Sequence, residues 1–206
     1  MTAGPPKSEY KIVEKQTCYN GFFSLNLYRV RHRLYSGGWS EIIEREVFER
    51  GHATGVLLYD PSLDRVVLVE QFRVAAIGAT GGAWVIEVAA GIIDAGETPE
   101  VVVRREAVEE SGLTVTELVP IGEFLMTPGG CTETFWLYCG RVDASQAGGI
   151  FGHTDEGEDI RVVVMDTADA LEAVVDGRIR VANAVLALQW LGLNRVQLRK
   201  DWLYGD

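Results

Sequence analysis

The sequence predicts an α/β/α sandwich preceded by a small antiparallel β-sheet, in one chain of 206 residues. Two observations support this class. Residues 9–50 carry mainly strand signals, whereas strand-like and helical segments are mixed from residue 53 onward. Mixed strands with a few interleaved helices bury their apolar faces in layers. We therefore predict an N-terminal β-subdomain at residues 1–50 and a main domain at residues 51–206.

The N-terminal block begins with Met1–Ser8, which contains two prolines and is predicted to be a disordered lead. Apolar and polar residues then alternate from Phe23 to Tyr28, as in a half-buried strand. Gly37 and Gly38 mark a turn before a further strand at Trp39–Phe48. This small sheet can be interpreted either as a cap on the main domain or as a dimerisation arm that also touches substrate.

The main domain is predicted from segments of strand character that are separated by turn residues. Its strands are ATGVLLYD, RVVLVEQFR, WVIEVAA, VTELVPIGEFL, ETFWLYCGRV and Ile160–Met165. Helices are expected from Pro99 to about Gly112, at Asp166–Val175 and at Ala182–Leu193. A glycine-rich loop at Gly78–Gly82 joins two of the strands, and residues 144–159 form a polar loop.

Composition excludes several classes of partner. The net charge of −11 argues against a nucleic-acid backbone, because such binding needs a basic face. No apolar run approaches the ~18 residues of a membrane span, and no secretory leader is recognisable. The three cysteines lack metal-type spacing and are predicted to be free thiols in the cytoplasm. His32, His52 and His153 form no ligand pattern and are expected to be structural or exposed.

Residues 91–113, GIIDAGETPEVVVRREAVEESGL, carry the chemistry. Thr98 is a good N-cap, Pro99 suits the first helical position and Gly112 suits the end of the helix. Three glutamates, Glu106, Glu109 and Glu110, then share one helix face at spacings i, i+3 and i+4, where like charges repel. A solvated acidic surface is one interpretation. A site for a hard cation such as Mg²⁺ or Mn²⁺ is the other.

The spacing of this segment separates the two interpretations. Its fixed positions are Gly91, Glu97, Arg105, Glu106, Glu109, Glu110 and Gly112, with apolar Ala107 and Leu113. Seven such matches are expected by chance at only ~1 in 10⁸ starting positions. The segment resembles the Nudix box, Gly-x5-Glu-x7-Arg-Glu-U-x-Glu-Glu-x-Gly-U with U apolar. The resemblance implies a metal-dependent hydrolase of nucleoside diphosphates linked to another group, with an α/β/α sandwich fold.

Residues outside the box narrow the prediction of the substrate. Pro128 lies fifteen residues past Leu113, a spacing that resembles the ADP-ribose pyrophosphatase subgroup. The blocks GFFSLNLYRVRHRL, EVFERGHA, VEQFRVAA, TPGG and DEGEDIRV extend this resemblance over nearly the whole chain. It implies hydrolysis of ADP-ribose to AMP and ribose 5-phosphate. The alternatives are a hydrolase of GDP-mannose or another nucleotide sugar, and a sensor that binds ADP-ribose without cleaving it.

The same resemblance implies roles for individual residues. The metal ligands are Glu106, Glu110, Glu158 and the main-chain carbonyl of Ala90, and the general base is Glu156. The role of Glu109 stays open, either as a metal ligand or as a residue that supports the ligands. Arg105 is expected to orient carboxylates. Without the resemblance, the DEGED segment would be interpreted as a hydrophilic turn.

Substrate contacts are implied in both parts of the chain. They are Phe22, Phe23, Arg45, Glu46, Arg50, Arg73, Ile92, Thr127 and Glu133. In the resembling enzymes the N-terminal block is exchanged between two protomers, and its aromatic and arginine planes enclose the adenine. The resemblance therefore implies a homodimer with swapped N-terminal strands. For Phe23 an ordinary core position is an equally good interpretation.

Overall fold

The computed structural model describes residues 9–153 and 157–205. The chain folds into two compact units. The first unit comprises Met1–His52 and Leu125–Thr134, and the second comprises Ala53–Phe124 and Phe135–Asp206. The predicted lead at Met1–Ser8 and the predicted base Glu156 lie outside the described residues.

The first unit contains a three-stranded antiparallel sheet in the order β1–β2–β3. Its strands are β1 (Tyr10–Asn20), β2 (Ser24–His32) and β3 (Ile43–Glu49). The predicted turn is present, and both Gly37 and Gly38 have positive φ. The prediction that a strand begins at Trp39 was wrong. Trp39 forms only an isolated bridge to Arg33, and regular pairing with β2 begins at Ile43.

The second unit is built on an eight-stranded mixed sheet. Its strands are β4 (Ala53–Asp60), β5 (Arg65–Phe72), β6 (Trp84–Glu87), β7 (Ala89–Ile92), β8 (Glu117–Leu125), β9 (Thr134–Arg141), β10 (Ile150–Phe151) and β11 (Ile160–Asp166). The order is β10–β11–β5–β4–β9–β8, with β6 paired to β5 and β7 paired to β4. The pairing of β4 with β9 is parallel. The polar loop predicted at residues 144–159 therefore contains the short strand β10.

Helices cover both faces of this sheet. Strand β4 contacts helices on both faces, because successive side chains of a strand point to opposite sides. Val56 and Leu58 belong to the core cluster that includes Val103 and Ala107 of helix α1 (Pro99–Ser111). The neighbouring Tyr59 instead meets Trp202, with 6.2 Å between ring centroids. Helices α2 (Thr167–Val175) and α3 (Ala182–Tyr204) follow β11. This arrangement confirms the predicted α/β/α sandwich.

Helix α3 extends eleven residues beyond the predicted end at Leu193. The added turns bury Leu198 and Trp202. Arg195 and Arg199 from the same turns reach Asp64, with nitrogen–oxygen distances of 2.9 and 3.4 Å. The prediction ended the helix early because these partners are far away in sequence. None of the helices in the described ranges has the length and hydropathy that crossing a bilayer requires.

Candidate active site

Helix α1 is set by local signals at both of its ends. The Thr98 side chain caps the helix by accepting a hydrogen bond from the backbone N–H of Val101, and Pro99 is the first helical residue. Gly112 ends the helix with φ of 70°, a left-handed conformation that suits glycine. These features confirm the predicted helix and fix the relative positions of its glutamates.

Glu110 lies on the buried face of α1, three residues after Ala107. Its side chain is only 3% exposed. The backbone N–H of Ala90, in strand β7, donates a hydrogen bond of 3.0 Å to Glu110 Oε2. Burial raises the pKa of Glu110 to about 8, and the charges of Glu106 and Glu158 add to this effect. In the absence of a cation, the carboxylate therefore holds a proton near neutral pH.

Glu106 lies against the backbone of Gly91. A Cβ atom at position 91 would lie 1.8 Å from Glu106 Oε1, so only glycine leaves room for this carboxylate. Burial raises the pKa of Glu106, Glu109 and Glu158 raise it further, and Arg105 opposes the shift. The glycine that opens the box thus has a steric explanation that is independent of its backbone angles.

Arg105 contacts several of the carboxylates. Its Nη1 atom lies 2.8 Å from Glu106 Oε1 and 2.7 Å from Glu109 Oε2. Its Nε atom lies 3.8 Å from Glu97 Oε1, and Glu97 also accepts a hydrogen bond from the Asp94 backbone N–H. One guanidinium therefore reduces the repulsion among three acidic side chains.

Glu158 belongs to the same acidic cluster, since its charge raises the pKa of both Glu106 and Glu110. The backbone N–H of His153 donates a 3.1 Å hydrogen bond to Glu158 Oε2. In return, the Glu158 N–H donates to the His153 carbonyl at 3.1 Å. The His153 ring is half exposed, with Nε2 3.9 Å from Glu109 Oε1. Histidine spacing alone did not indicate this proximity.

Arg73 follows β5 and is oriented by Glu87, a residue that was not among the predicted site residues. Its Nε atom donates a 2.7 Å hydrogen bond to Glu87 Oε2. Glu87 is 8% exposed, and a buried carboxylate requires such a partner. The field of Arg73 also lowers the pKa of Glu110, so the guanidinium lies near the acidic cluster. A lone glutamate within the apolar run WVIEVAA was the available signal.

The oxygen donors fit a hard divalent cation. Glu106, Glu110 and Glu158 supply carboxylate oxygens of the kind that such cations prefer, and burial together with neighbouring acidic groups raises the pKa of Glu106 and of Glu110. Gly91 leaves the space that Glu106 occupies. Within residues 9–153 and 157–205, no three or more His, Cys, Asp or Glu side chains form a ready-made metal cage.

The remaining predicted substrate residues, apart from Ile92 at the end of β7, belong to the first unit. Phe22 is 88% exposed and meets Phe23 edge-on, with 4.7 Å between centroids. Arg50 lies over the Phe23 ring at 5.6 Å, and its Nη1 is 2.9 Å from Glu133 Oε1. The Arg50 Nε atom is buried without a hydrogen-bond partner. The structure thus brings these four residues together, with Phe23 half-buried in the group.

Three other predicted residues of the first unit lie outside that group. Arg45 and Glu46 are exposed neighbours on β3, opposite Tyr28 and Leu27 of β2. Thr127 is exposed at the start of the TPGG turn, where its carbonyl accepts hydrogen bonds from the N–H groups of Gly130 and Cys131. The backbone N–H of Phe48 donates to the Gly130 carbonyl at 2.8 Å, which ties this turn to β3.

The fold and the acidic cluster agree with comparisons to known proteins. A family model described as NUDIX domain matches residues 49–200. The chain therefore belongs to the Nudix family, and it is a Nudix hydrolase. A solved structure described as an ADP compounds hydrolase has a TM-score of 0.71 and covers 95% of this chain and 100% of its own, at 18% identity. At that identity the likeness concerns the fold.

Two groups of relatives are similar in sequence. The ADP-ribose pyrophosphatase of Escherichia coli (strain K12) is 47% identical over 196 residues, covering 95% of this chain and 94% of that protein. The ADP-ribose pyrophosphatase of Haemophilus influenzae is 39% identical, covering 95% and 92%. The GDP-mannose pyrophosphatase of Cronobacter sakazakii is 40% identical over 158 residues, covering 74% of this chain and 80% of that protein.

Proposed function

We propose that this Nudix hydrolase cleaves the diphosphate of ADP-ribose, with AMP and ribose 5-phosphate as products. One observation carries the proposal. The acidic cluster of Glu106, Glu110 and Glu158 occurs in a chain that is 47% identical to an ADP-ribose pyrophosphatase over 95% of its length. The similarity to the GDP-mannose pyrophosphatase of Cronobacter sakazakii covers less of the chain, at 74%.

Glu106, Glu110, Glu158 and the Ala90 carbonyl are the groups that we assign to Mg²⁺, with Mn²⁺ as a substitute. A bound divalent cation would neutralise phosphate oxygens and lower the pKa of bound water. Such a cation would oppose the effect of burial, which raises the pKa of both Glu106 and Glu110, because metal ligands bind in their deprotonated form. We assign Arg105 to holding Glu109 and Glu97 beside the site, which makes Glu109 a supporting residue.

In the proposed reaction, Glu156 removes a proton from a water molecule, and the oxygen of this water bonds to one phosphorus of the diphosphate. The bond from that phosphorus to the bridging oxygen breaks, and the bridging oxygen leaves with the other phosphate. Arg73, held by Glu87, is assigned to the phosphate oxygens, because a guanidinium donates two parallel hydrogen bonds to such groups. Ile92 is assigned to the substrate beside the Ala90 carbonyl.

The first unit is assigned to adenine and ribose recognition and to dimerisation. Phe22 and Arg45 expose flat groups of the kind that stack on a nucleobase, and Phe23, Arg50 and Glu133 form the group that holds Phe22. Glu46 and Thr127 are assigned polar contacts with the substrate. Strand β1 is exposed at all eleven of its positions, and a small sheet needs a hydrophobic face or a packing partner to be stable. A second protomer that exchanges residues 1–50 would supply that surface.

A cytoplasmic location completes the proposal. Cys18, Cys131 and Cys139 are all free thiols, as expected of a protein in a reducing compartment.

The decisive experiment measures phosphomonoester release from ADP-ribose and from GDP-mannose with Mg²⁺. A kcat/KM for ADP-ribose at least tenfold higher is expected, and complete loss is expected in excess chelator. A preference for GDP-mannose would support the alternative substrate, and binding of ADP-ribose without turnover would identify a sensor. Glu156→Gln should lower kcat by ~10² to 10⁴ while ADP-ribose still binds, as is typical when a general base is lost.

A further inference from the structure

Glu158 lies between strands β10 and β11, which pair antiparallel. Their pairing register places Ile150 opposite Arg161 and Phe151 opposite Ile160. The Val162 N–H also donates to the Gly149 carbonyl at 3.0 Å. Glu158 precedes Ile160 by two residues, so it lies next to the paired end of β11.

Phe151 connects this hairpin to the end of helix α1. Its ring packs against the core cluster that contains Ala107. A Cβ atom at Gly112 would lie 2.8 Å from Phe151 Cε1 and 2.9 Å from Cζ, so the ring occupies the space that glycine leaves open. Gly112 follows Glu110 by two residues. The contact therefore joins the strand before Glu158 to the helix that carries Glu106 and Glu110.

Gly152 continues the connection from Phe151 to Glu158. It has φ of 96°, and a Cβ atom there would lie 2.8 Å from the Glu158 Cβ. The adjacent His153 exchanges two hydrogen bonds of 3.1 Å with Glu158, one through its N–H and one through its carbonyl. Phe151 is thus linked to Glu158 through the close approach of Gly152 and the two hydrogen bonds of His153.

We propose that Phe151 is a positioning residue, whose contact with Gly112 sets the separation between Glu158 and the helix carboxylates Glu106 and Glu110. The inference rests on the proposed cation site at these three glutamates. Cation–oxygen distances in protein sites hold to within about 0.2 Å, so a small displacement of one ligand weakens binding. The Phe151 ring would act on this separation through its contacts with Gly112 and the core cluster.

The test measures Mn²⁺ binding to the whole protein by electron paramagnetic resonance of free Mn²⁺, without substrate. Phe151→Ala is expected to raise the dissociation constant ~10-fold, as supporting groups of metal sites do when they are lost. Phe151→Leu keeps most of the apolar volume and should lose less. Ile150→Ala is the matched control, because this side chain lies on the same strand but is 64% exposed. It should bind Mn²⁺ like the wild type.

A double-mutant cycle with Glu158→Gln separates positioning from general destabilisation. In that background, Phe151→Ala should change the Mn²⁺ dissociation constant less than about twofold, because its effect passes through the lost carboxylate. Additive losses would overturn the inference, as would wild-type binding by Phe151→Ala. If Phe151→Ala fails to fold, the same cycle with Phe151→Leu decides. If the double-mutant cycle shows coupling but the wild-type protein does not hydrolyse ADP-ribose, this inference is supported and the proposed substrate is refuted.

Discussion

Glu110→Gln should stabilise the metal-free protein, and the gain should grow with pH. Glu110 has a raised pKa of about 8, against an ordinary value of 4.5. Its contribution to stability is complete below pH 4.5 and is lost as pH rises towards 8, since the folded state disfavours the charge. Glutamine cannot ionise, and its carbonyl oxygen can still accept the hydrogen bond from the Ala90 N–H.

The size of the effect follows from the two pKa values. At 1.36 kcal/mol per pH unit, the raised pKa of Glu110 lowers the free energy of unfolding, relative to its value below pH 4.5, by about 4 kcal/mol at pH 8 and by about 1 kcal/mol at pH 5.5. The free energy of unfolding of Glu110→Gln should therefore exceed that of the wild type by about 3 kcal/mol more at pH 8 than at pH 5.5. Urea titrations with chelator, at one protein concentration, measure both differences.

Glu123→Gln is the control for this comparison, because Glu123 is an exposed glutamate of the same unit. Its stability should stay within about 0.5 kcal/mol of the wild type at both pH values. Mg²⁺ should raise the stability of the wild type much more than that of Glu110→Gln, since the variant lacks one ligand. If the stability difference between Glu110→Gln and the wild type is equal at pH 5.5 and pH 8, Glu110 is not a buried carboxyl group with a raised pKa.

Three further predictions test the site and the assembly. Gly91→Ala should lower kcat at least ~100-fold at saturating Mg²⁺, because the added methyl group displaces the Glu106 carboxylate, and near-normal turnover would contradict the steric argument. Glu87→Gln should raise the KM for ADP-ribose about tenfold with little change in kcat, because Arg73 loses its charged partner; an unchanged KM would remove Glu87 from substrate binding. Deletion of residues 1–50 should abolish both dimerisation in sedimentation experiments and ADP-ribose binding, so a monomer with unchanged KM would exclude a shared site.

Much of helix α1 could be predicted because its signals are local. The Thr98 cap, Pro99 and the terminal Gly112 act within one or two turns, and the i, i+4 spacing alone places Glu106 and Glu110 on neighbouring turns. The Nudix assignment also follows from spacing within one short segment, and the match of the family model confirms it.

Contacts between distant segments could not be predicted in this way. Glu87 and Arg73 are partners only because β6 pairs with β5, and α3 continues past Leu193 because its last turns meet Asp64. Such partners depend on strand register and packing, which no local pattern of residues specifies.

The sequence by itself therefore determined the family, the α/β/α class and the order of the acidic residues along one helix. The tertiary structure decided their chemistry. It buried Glu110 beside the Ala90 N–H, placed Glu106 where Gly91 has no side chain and brought Glu158 into the same electrostatic field. The physical reason is that residue spacing determines which side chains share a helix face. The pKa of a carboxylate depends on burial and on charges that other segments supply.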